Sequence, residues 1–342
     1  MDGNRLVTSR NKTIDVAKGL GIILVVFGHN ALANVEIHSL IFSFHIPLFL
    51  LLSGIFFNPQ QSFTQLILAK SDGLLKPYFL VVGVLGLIKI IASAKLPLLI
   101  FSILYGNGSN TWPPLWFLPY LFFLFLFAWF FINLIPSRYT NSSWLISLLI
   151  LVLFILGYTS LKFSEHQLGT YGLPWSLDLV FIGSAYFLIG HKMSIYLTNF
   201  KQSFIWFFVA TATFCLTHYF FDETIDLNLR WYGDFLICTV QALSSIYLIF
   251  VLSKFLSLSN ICNKVLAYIG NGSLFILIFH WPFQQKSFAF FNAHWAEKTS
   301  LEINSLLSFT IGIIFPLLIW EVVKRNYHLS NLMLQRKLTA RV

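Results

Sequence analysis

Long apolar runs, each about as long as a helix that crosses a lipid bilayer, recur along the whole sequence. A membrane-spanning helix needs about 20 mostly apolar residues. Such runs occur near residues 14–33, 39–57, 74–93, 115–135, 143–160, 174–191, 203–221, 233–252, 264–281 and 304–323. Only 10% of the residues are charged, too few to cover a water-facing surface. The sequence therefore predicts an all-α integral membrane protein with about ten transmembrane helices in a single polytopic domain over residues 1–342, and excludes a soluble enzyme.

The positive charges are divided unevenly between the two sides of these predicted helices. The formal net charge is +9, and the sequence contains 22 Lys and Arg residues. The loops on the side opposite the termini contain Lys95, Lys162, Arg230, Lys286 and Lys298. Lys and Arg accumulate in cytoplasmic loops, so both termini are predicted to be cytoplasmic. The basic excess is therefore a topology signal, and a nucleic-acid partner is not expected because the positive charge is not gathered in one patch.

The first apolar run has some features of a cleaved signal peptide. Basic residues precede it, and Ala31-Leu32-Ala33 is similar to a cleavage site. Asp15 and Lys18 interrupt the apolar region, however. We therefore expect this segment to be retained as the first helix.

The three cysteines show no pattern of a bound metal or a disulfide framework. They are Cys215, Cys238 and Cys262, with no CxxC pair and no histidine beside them at the spacing of metal ligands. Neither a structural metal nor a metal cofactor is therefore expected.

Ionisable residues in the first apolar run point to a functional site, because such residues are costly in a bilayer and tend to be functional. Asp15, Lys18 and His29 fall on one stripe of the predicted helix, since the eleven residues from Lys18 to His29 make about three turns, or roughly 16 Å. Asp15 and Lys18 are predicted to pair. The alternative is that Lys18 reaches the membrane surface with its long side chain and that His29 bonds a neighbouring carbonyl.

Other predicted helices bring polar groups to a similar depth. With the predicted topology, His45, Lys89, Asp178 and His280 lie toward the outer half of their helices. Together they indicate a hydrated pocket that opens outward, although each alone could be a residue at the membrane interface.

Two lysines lie in the loop before the third run. Lys70 and Lys76 could hold phosphate groups, because the unpaired amides at a helix N-terminus also favour anions. The alternative is that they are ordinary cytoplasmic positive charge.

Several segments resemble the membrane-bound acyltransferase-3 family, and in particular its branch of fucose and other sugar O-acetylases. Lys18, ten intervening residues and His29 are similar to the hallmark of that family, although arginine is common at the basic position. The resemblance extends to Phe44-His45-Ile46-Pro47 with Ser53-Gly54, to Lys76-Pro77-Tyr78, to Leu115-Trp116-Phe117-Leu118, and to Tyr268-Ile269-Gly270-Asn271 followed by His280 and Pro282. The match spans nearly the whole chain, but the basic cluster before the third helix is thinner than is usual in the family.

The resemblance implies a reaction and a location. Family members transfer an acyl group, commonly acetyl, from acyl-CoA in the cytoplasm to a hydroxyl of a glycan or a polyprenyl-linked sugar. For this chain it implies acetyl-CoA as co-substrate, a multi-pass position in a bacterial inner (cytoplasmic) membrane, and Lys18, Lys70 and Lys76 as ligands of the coenzyme phosphates. The polar residues at the outer depth, His45, Lys89, Asp178 and His280, are the candidates for the acceptor pocket.

His29 is the predicted catalytic residue. A sugar hydroxyl is too weakly acidic to attack a thioester unaided, and an imidazole serves as a general base near neutral pH. Both direct attack and prior acylation of His29 are compatible with the sequence. Asp178 is a candidate to orient His29, and Ser53 and Asn30 are candidates to stabilise the oxyanion.

A transporter or flippase for a lipid-linked sugar or a small acid is the alternative function, because transporters also use intramembrane His, Lys and Asp. A transporter would move its substrate without an acyl donor, whereas the enzyme would consume acetyl-CoA and leave an ester.

Overall fold

The computed structural model of the chain describes residues 11–93, 101, 103–106, 112–136, 142–295 and 299–336, with the backbone alone for residues 85–93 and 143. Lys89, one of the predicted site residues, lies in a described helix, but its side chain is outside the described residues. Lys95 and Lys298 from the predicted loops also lie outside them.

Helices form most of the described structure. The first half contains α1 (Lys12–Gly28), α2 (Val35–Phe42), α3 (His45–Ile55), α4 (Phe63–Lys70), a π-helical turn (Ser71–Leu75), α5 (Lys76–Ser93), a 3₁₀ turn (Pro113–Trp116), α6 (Phe117–Leu134) and α7 (Ser143–Leu168). Two 3₁₀ turns (Gly169–Tyr171 and Pro174–Leu179) lead to α8 (Val180–Lys192), α9 (Ser194–Thr198) and α10 (Phe204–Phe220). A short hairpin follows, formed by β1 (Ile225–Asp226), a 3₁₀ turn (Leu227–Leu229) and β2 (Trp231–Tyr232). The last helices are α11 (Phe235–Leu256), α12 (Asn260–Asn271), α13 (Ser273–Trp295), α14 (Leu301–Arg325) and α15 (Tyr327–Met333).

Each predicted apolar run coincides with one helix or with two consecutive helical pieces, as expected for a largely helical membrane protein. Several runs are nevertheless shorter or more broken than the prediction of about ten uninterrupted spans. α1 and α10 have 17 residues each, and α12 and α13 meet at 75°. Among the described residues, five helical stretches are long and apolar enough to cross a membrane, or six if the bent pair is one span.

Local signals in the sequence set both ends of α1, the helix that contains the predicted catalytic histidine. Asn11 caps its first turn, because its side-chain oxygen accepts a hydrogen bond from Ile14 N at 3.1 Å. The α-helical segment ends at Gly28, and the N–H of His29 still donates to Val25 O at 3.3 Å. His29 is therefore the last residue with a helical i to i−4 bond. The N–H of the next residue, Asn30, bonds Phe27 O three residues back.

α1 and α12 cross at very short distance through two glycines. A Cβ atom added to Gly19 would lie 2.1 Å from Leu266 O, and one added to Gly270 would lie 2.3 Å from Asp15 O. Small residues at such crossings allow the backbones of membrane helices to meet. This crossing lies one residue from Lys18 and fixes where that side chain leaves α1.

We predict that Gly19→Ala destabilises the protein by about 1–3 kcal/mol, the usual effect of overfilling a packed site. The added methyl group would push the backbone of α12 away from α1, and backbone has little room to yield. Thermal unfolding of the purified chain in detergent should show a lower transition temperature.

Gly83→Ala is the matched control for this substitution. Gly83 lies inside helix α5, and an added Cβ would meet nothing within 4 Å. Because alanine favours helix over glycine, this variant should unfold at the wild-type temperature or slightly above. Equal losses in the two variants would contradict the crossing as the cause.

Candidate active site

A cavity of about 460 Å³ between α1, α3, α4, α6, α12 and α13 brings together four of the predicted site residues. They are Lys18, His29, His45 and Lys70. The rest of its lining is largely apolar and aromatic, and it includes Phe49, Phe56, Trp116, Phe117 and Phe125 with the polar residues Ser53, Asn271 and Ser273. Such a mixture of apolar walls and a few polar groups is typical of a small-molecule site.

The cavity extends along α1 from Lys18 to His29. Both residues line it, and their spacing on the helix corresponds to a rise of roughly 16 Å. Lys18 and Lys70 mark one region of the cavity, and His29 marks another. A long, thin molecule with an anionic end and a reactive end would match this arrangement.

Each of the two cavity lysines lies over an aromatic ring. Lys70 Nζ is 3.6 Å from the centroid of the Phe125 ring, and Lys18 Nζ is 5.5 Å from that of Phe56. Burial lowers the pKa of the Lys70 ammonium to about 8. The ring face stabilises the cation without neutralising its charge, so the ammonium can still bind an anion. Asp15 is buried one turn from Lys18, and the pairing of these two residues stays a prediction.

Aromatic rings surround the side chain of His29. The Phe42 and Trp281 rings meet it edge to face at centroid distances of 5.5 and 5.3 Å, and the His280 ring lies nearly parallel to it at 5.7 Å. Within the described part of the chain no hydrogen bond to the His29 ring is found, while the residue lines the cavity. Its ring nitrogens can therefore meet a substrate.

Hydrogen bonds from two other helices hold the backbone around His29. Gln284 Nε2 from α13 donates to Val26 O at 3.1 Å, one of the carbonyls at the end of α1. On the other side of His29, Asn30 Nδ2 donates to Ser305 O of α14 at 3.0 Å. The end of a helix leaves carbonyls without partners. Gln284 supplies a partner for one of them, and the Asn30 bond attaches the residue after His29 to α14.

The remaining predicted histidines lie close to this region. His45 is buried, lines the cavity and donates from Nδ1 to Ile41 O at 3.1 Å. Its Nε2 is then the acceptor nitrogen of the neutral ring. His280 is fully buried beside His29 but does not line the cavity.

The two predicted oxyanion donors already donate to protein carbonyls. Ser53 Oγ donates its only hydrogen to Phe49 O at 2.7 Å, and the Asn30 amide donates to Ser305 O. Stabilising an oxyanion would require either side chain to exchange its partner. Their roles in catalysis stay predictions.

The structure does not bring Asp178 into the cavity. This carboxylate forms a fully buried ion pair with Arg230, with 3.1 Å from Nε to Oδ2, and it also accepts from Leu173 N. Arg230 donates further to Ser176 Oγ and Asn228 O. The pair joins the segment before α8 to the hairpin turn, far from the contacts of His29, so Asp178 does not orient that ring.

Lys76 also lies outside the cavity. Its ammonium donates to Asp72 Oδ1 at 2.5 Å, to Asn331 O at 3.0 Å and to Leu334 O at 2.7 Å, which uses all three hydrogens. These bonds attach the C-terminal segment to the π-helical turn. A separate cavity of about 530 Å³ beside it contains Lys76, Asp72 and Arg336. The phosphate-binding role of Lys76 stays a prediction.

Two structurally important residues were not singled out by the sequence. Gln284 lies just beyond the predicted run 264–281 and is followed by Gln285 and Lys286, so its pattern is that of an ordinary polar segment and did not identify it. Arg230 was assigned to a loop as ordinary charge. Its left-handed backbone (φ 57°) and complete burial have no signal in the sequence.

Although several histidines gather near His29, they do not form a metal site. Across the described ranges, no three His, Cys, Asp or Glu side chains are grouped as ligands of one metal ion. The imidazoles can serve as acids, bases or nucleophiles, next to cations that can bind an anion.

Comparison with the profiles of known protein families gave a match. The profile of the acyltransferase-3 family, which is described as an acyltransferase domain, matches residues 11–323. Neither the curated proteins nor the solved structures gave a significant match.

We predict that Asp178→Asn destabilises the protein by about 3–5 kcal/mol, because it leaves the buried Arg230 cation without its counter-charge. Glu165→Gln is the control. It removes the ion pair with Lys162, in which the Lys162 side chain is 36% exposed and that of Glu165 is 33% exposed, and it should change stability by about 1 kcal/mol or less. Thermal unfolding in detergent compares the two variants. A similar small effect for both would show that the buried pair is not a structural anchor.

Proposed function

Since this chain belongs to the acyltransferase-3 family, we propose that it transfers an acetyl group from acetyl-CoA to a hydroxyl of a surface glycan or a polyprenyl-linked sugar. The observation that carries this proposal is the single cavity lined by Lys18 and Lys70 and by His29 and His45. It combines cations for an anionic donor with an imidazole for proton transfer. The sugar O-acetylase branch, suggested by the sequence motifs, is part of the proposal.

Lys18 and Lys70 are the proposed ligands of the coenzyme phosphates. Both ammonium groups line the cavity, and each lies over a phenyl ring. The thioester arm of acetyl-CoA would then follow α1 toward His29, over roughly 16 Å of helix rise. The apolar walls between the two ends suit an uncharged pantetheine chain.

His29 is the proposed general base. Its ring accepts the proton of the sugar hydroxyl while the hydroxyl oxygen forms a bond to the thioester carbon. When the carbon–sulfur bond breaks, the thiolate of coenzyme A takes the proton from the His29 imidazolium. The products are the acetyl ester and free coenzyme A. Prior acetylation of His29 gives the same products in two steps.

The proposed orientation places the Lys18 end at the cytoplasm and the His29 end toward the opposite side of a bacterial inner membrane. The support is the excess of Lys and Arg in the loops on the side of the termini. Acetyl-CoA would then reach the cavity from the cytoplasm, where it is made, and the glycan would reach it from the other side.

We predict that His29→Ala reduces ester formation by at least about 100-fold, the usual contribution of a general base. The full chain in membrane vesicles receives radiolabelled acetyl-CoA, and alkali-labile label in the glycolipid fraction is counted. His294→Ala is the matched control, because His294 is an exposed histidine whose ring bonds Phe290 O of its own helix. It should match the wild type.

The same vesicles separate the enzyme from a transporter. Movement of a lipid-linked sugar with no acetyl-CoA present, together with no label in any glycan, would favour a flippase. Full acetylation by His29→Ala would instead reject the assigned base while leaving the enzyme class intact.

We predict that the KM for acetyl-CoA rises about tenfold between about pH 7 and pH 9. The Lys70 ammonium, with its pKa lowered to about 8, loses its proton over this interval, and a hydrogen bond from a charged donor contributes about 1.5–3 kcal/mol. Lys70→Arg should make the KM nearly independent of pH, since arginine stays protonated. The KM of Lys76→Ala for acetyl-CoA, measured in the same assay, tests whether Lys76 also binds the coenzyme phosphates. A wild-type KM that is flat with pH would contradict phosphate binding by Lys70.

A further inference from the structure

We infer that His280 is a positioning residue, which orients the His29 ring by accepting a hydrogen bond from its second ring nitrogen. This inference rests on the proposed function, because it assigns a partner to the proposed base. In this role His280 takes the place of Asp178, which is paired with Arg230. The role does not depend on which sugar accepts the acetyl group.

The hydrogen bonds of His280 define which of its nitrogens is free. Nδ1 lies 2.8 Å from Ile276 O and 3.1 Å from Leu277 O, both in the preceding turn of α13. A carbonyl oxygen only accepts, so the proton is on Nδ1. In the neutral ring Nε2 is then an acceptor with an available lone pair.

That acceptor has no protein partner in the described part of the chain. His280 is fully buried, and its Nε2 is a buried atom without a hydrogen bond there. Leaving a buried acceptor unpaired is unfavourable by about 1–3 kcal/mol. A second imidazole lies beside the His280 ring. It is that of His29, with an interplanar angle of 26° and a centroid distance of 5.7 Å.

The placement of the two rings is fixed by contacts outside the rings themselves. Pro282 has no N–H, so it leaves Ile278 O without its helical donor, and the Trp112 indole donates to that oxygen. Gln284, one half-turn further along α13, donates to Val26 O of α1. α13 is therefore held on both sides of His280, and it is bonded directly to the turn that precedes His29.

A base with this environment needs an acceptor for its second nitrogen. When one nitrogen of His29 takes the hydroxyl proton, the other must already carry a hydrogen, and that N–H must be directed to fix the ring. His280 Nε2 can accept it while staying neutral. No hydrogen bond joins the two rings in this structure, and catalytic hydrogen bonds commonly shorten when substrate binds.

Two amide substitutions separate orientation of His29 from packing. His280→Asn keeps an N–H that can reach Ile276 O, as Asn side chains do in helices, but offers no group at the position of Nε2. His280→Gln extends to that position with an amide oxygen that accepts. Both variants are polar, but Asn is the smaller side chain and leaves a void. His280→Leu, which is close to histidine in size and has no acceptor, therefore separates a packing defect from loss of the acceptor.

The vesicle assay with radiolabelled acetyl-CoA gives kcat and KM for both variants. We expect His280→Asn to lower kcat by about 100-fold with the KM for acetyl-CoA within about twofold of wild type, and His280→Gln to recover at least about tenfold of that loss. Thermal unfolding in detergent checks that both are folded. If His280→Asn fails to fold, two other variants test the inference. A wild-type kcat for His280→Gln, whose amide oxygen reaches the position of Nε2, and a roughly 100-fold lower kcat for His280→Leu would support it.

Three outcomes have distinct meanings. Equal kcat values for the folded Asn and Gln variants would overturn the positioning role, and so would a rise in KM without a change in kcat. A wild-type protein that forms no ester in the same assay would instead overturn the proposed function. Wild-type and His29→Ala samples are therefore measured beside the His280 variants.

Discussion

The hydrogen bonds that attach the end of helix α1 to α13 and α14 are the interactions on which the candidate active site depends. A helix ends with carbonyls that have no N–H partner, and in an apolar layer water does not supply one. Gln284 of α13 bonds Val26 O, and Asn30 bonds α14 through Ser305 O. The position of His29 is therefore a property of three packed helices, and not of α1 alone.

The cavity combines charge with apolar surroundings, which is costly unless the charge is stabilised. The Lys70 ammonium lies over the face of Phe125, 3.6 Å from the ring centroid. An aromatic face attracts the ammonium but supplies no opposite charge that would have to be displaced by a ligand. A cation held in this way is suited to bind a phosphate and to release it after each reaction.

The sequence identified several residues that the structure brings into one cavity, and three that do not line it, namely Asp178, Lys76 and His280. Lys18 and His29 share the cavity because both lie on one helix, where their stripe follows from backbone geometry. Asp178 was misjudged as a partner of His29 because its true partner, Arg230, is in a different loop. Lys76 is bonded to the carbonyls of Asn331 and Leu334, and no local pattern in the sequence predicts that pairing.

By itself the sequence determined the helical membrane class, the places of most helices and the stripe that joins Lys18 to His29, since apolar content and the 3.6-residue repeat act within one segment. The tertiary structure decided which polar groups meet, where the apolar runs bend or break, and which histidine lies beside His29. Those features depend on contacts such as the crossing of Gly19 with α12. Such contacts join residues far apart in the chain, and their energies depend on the shapes of both surfaces.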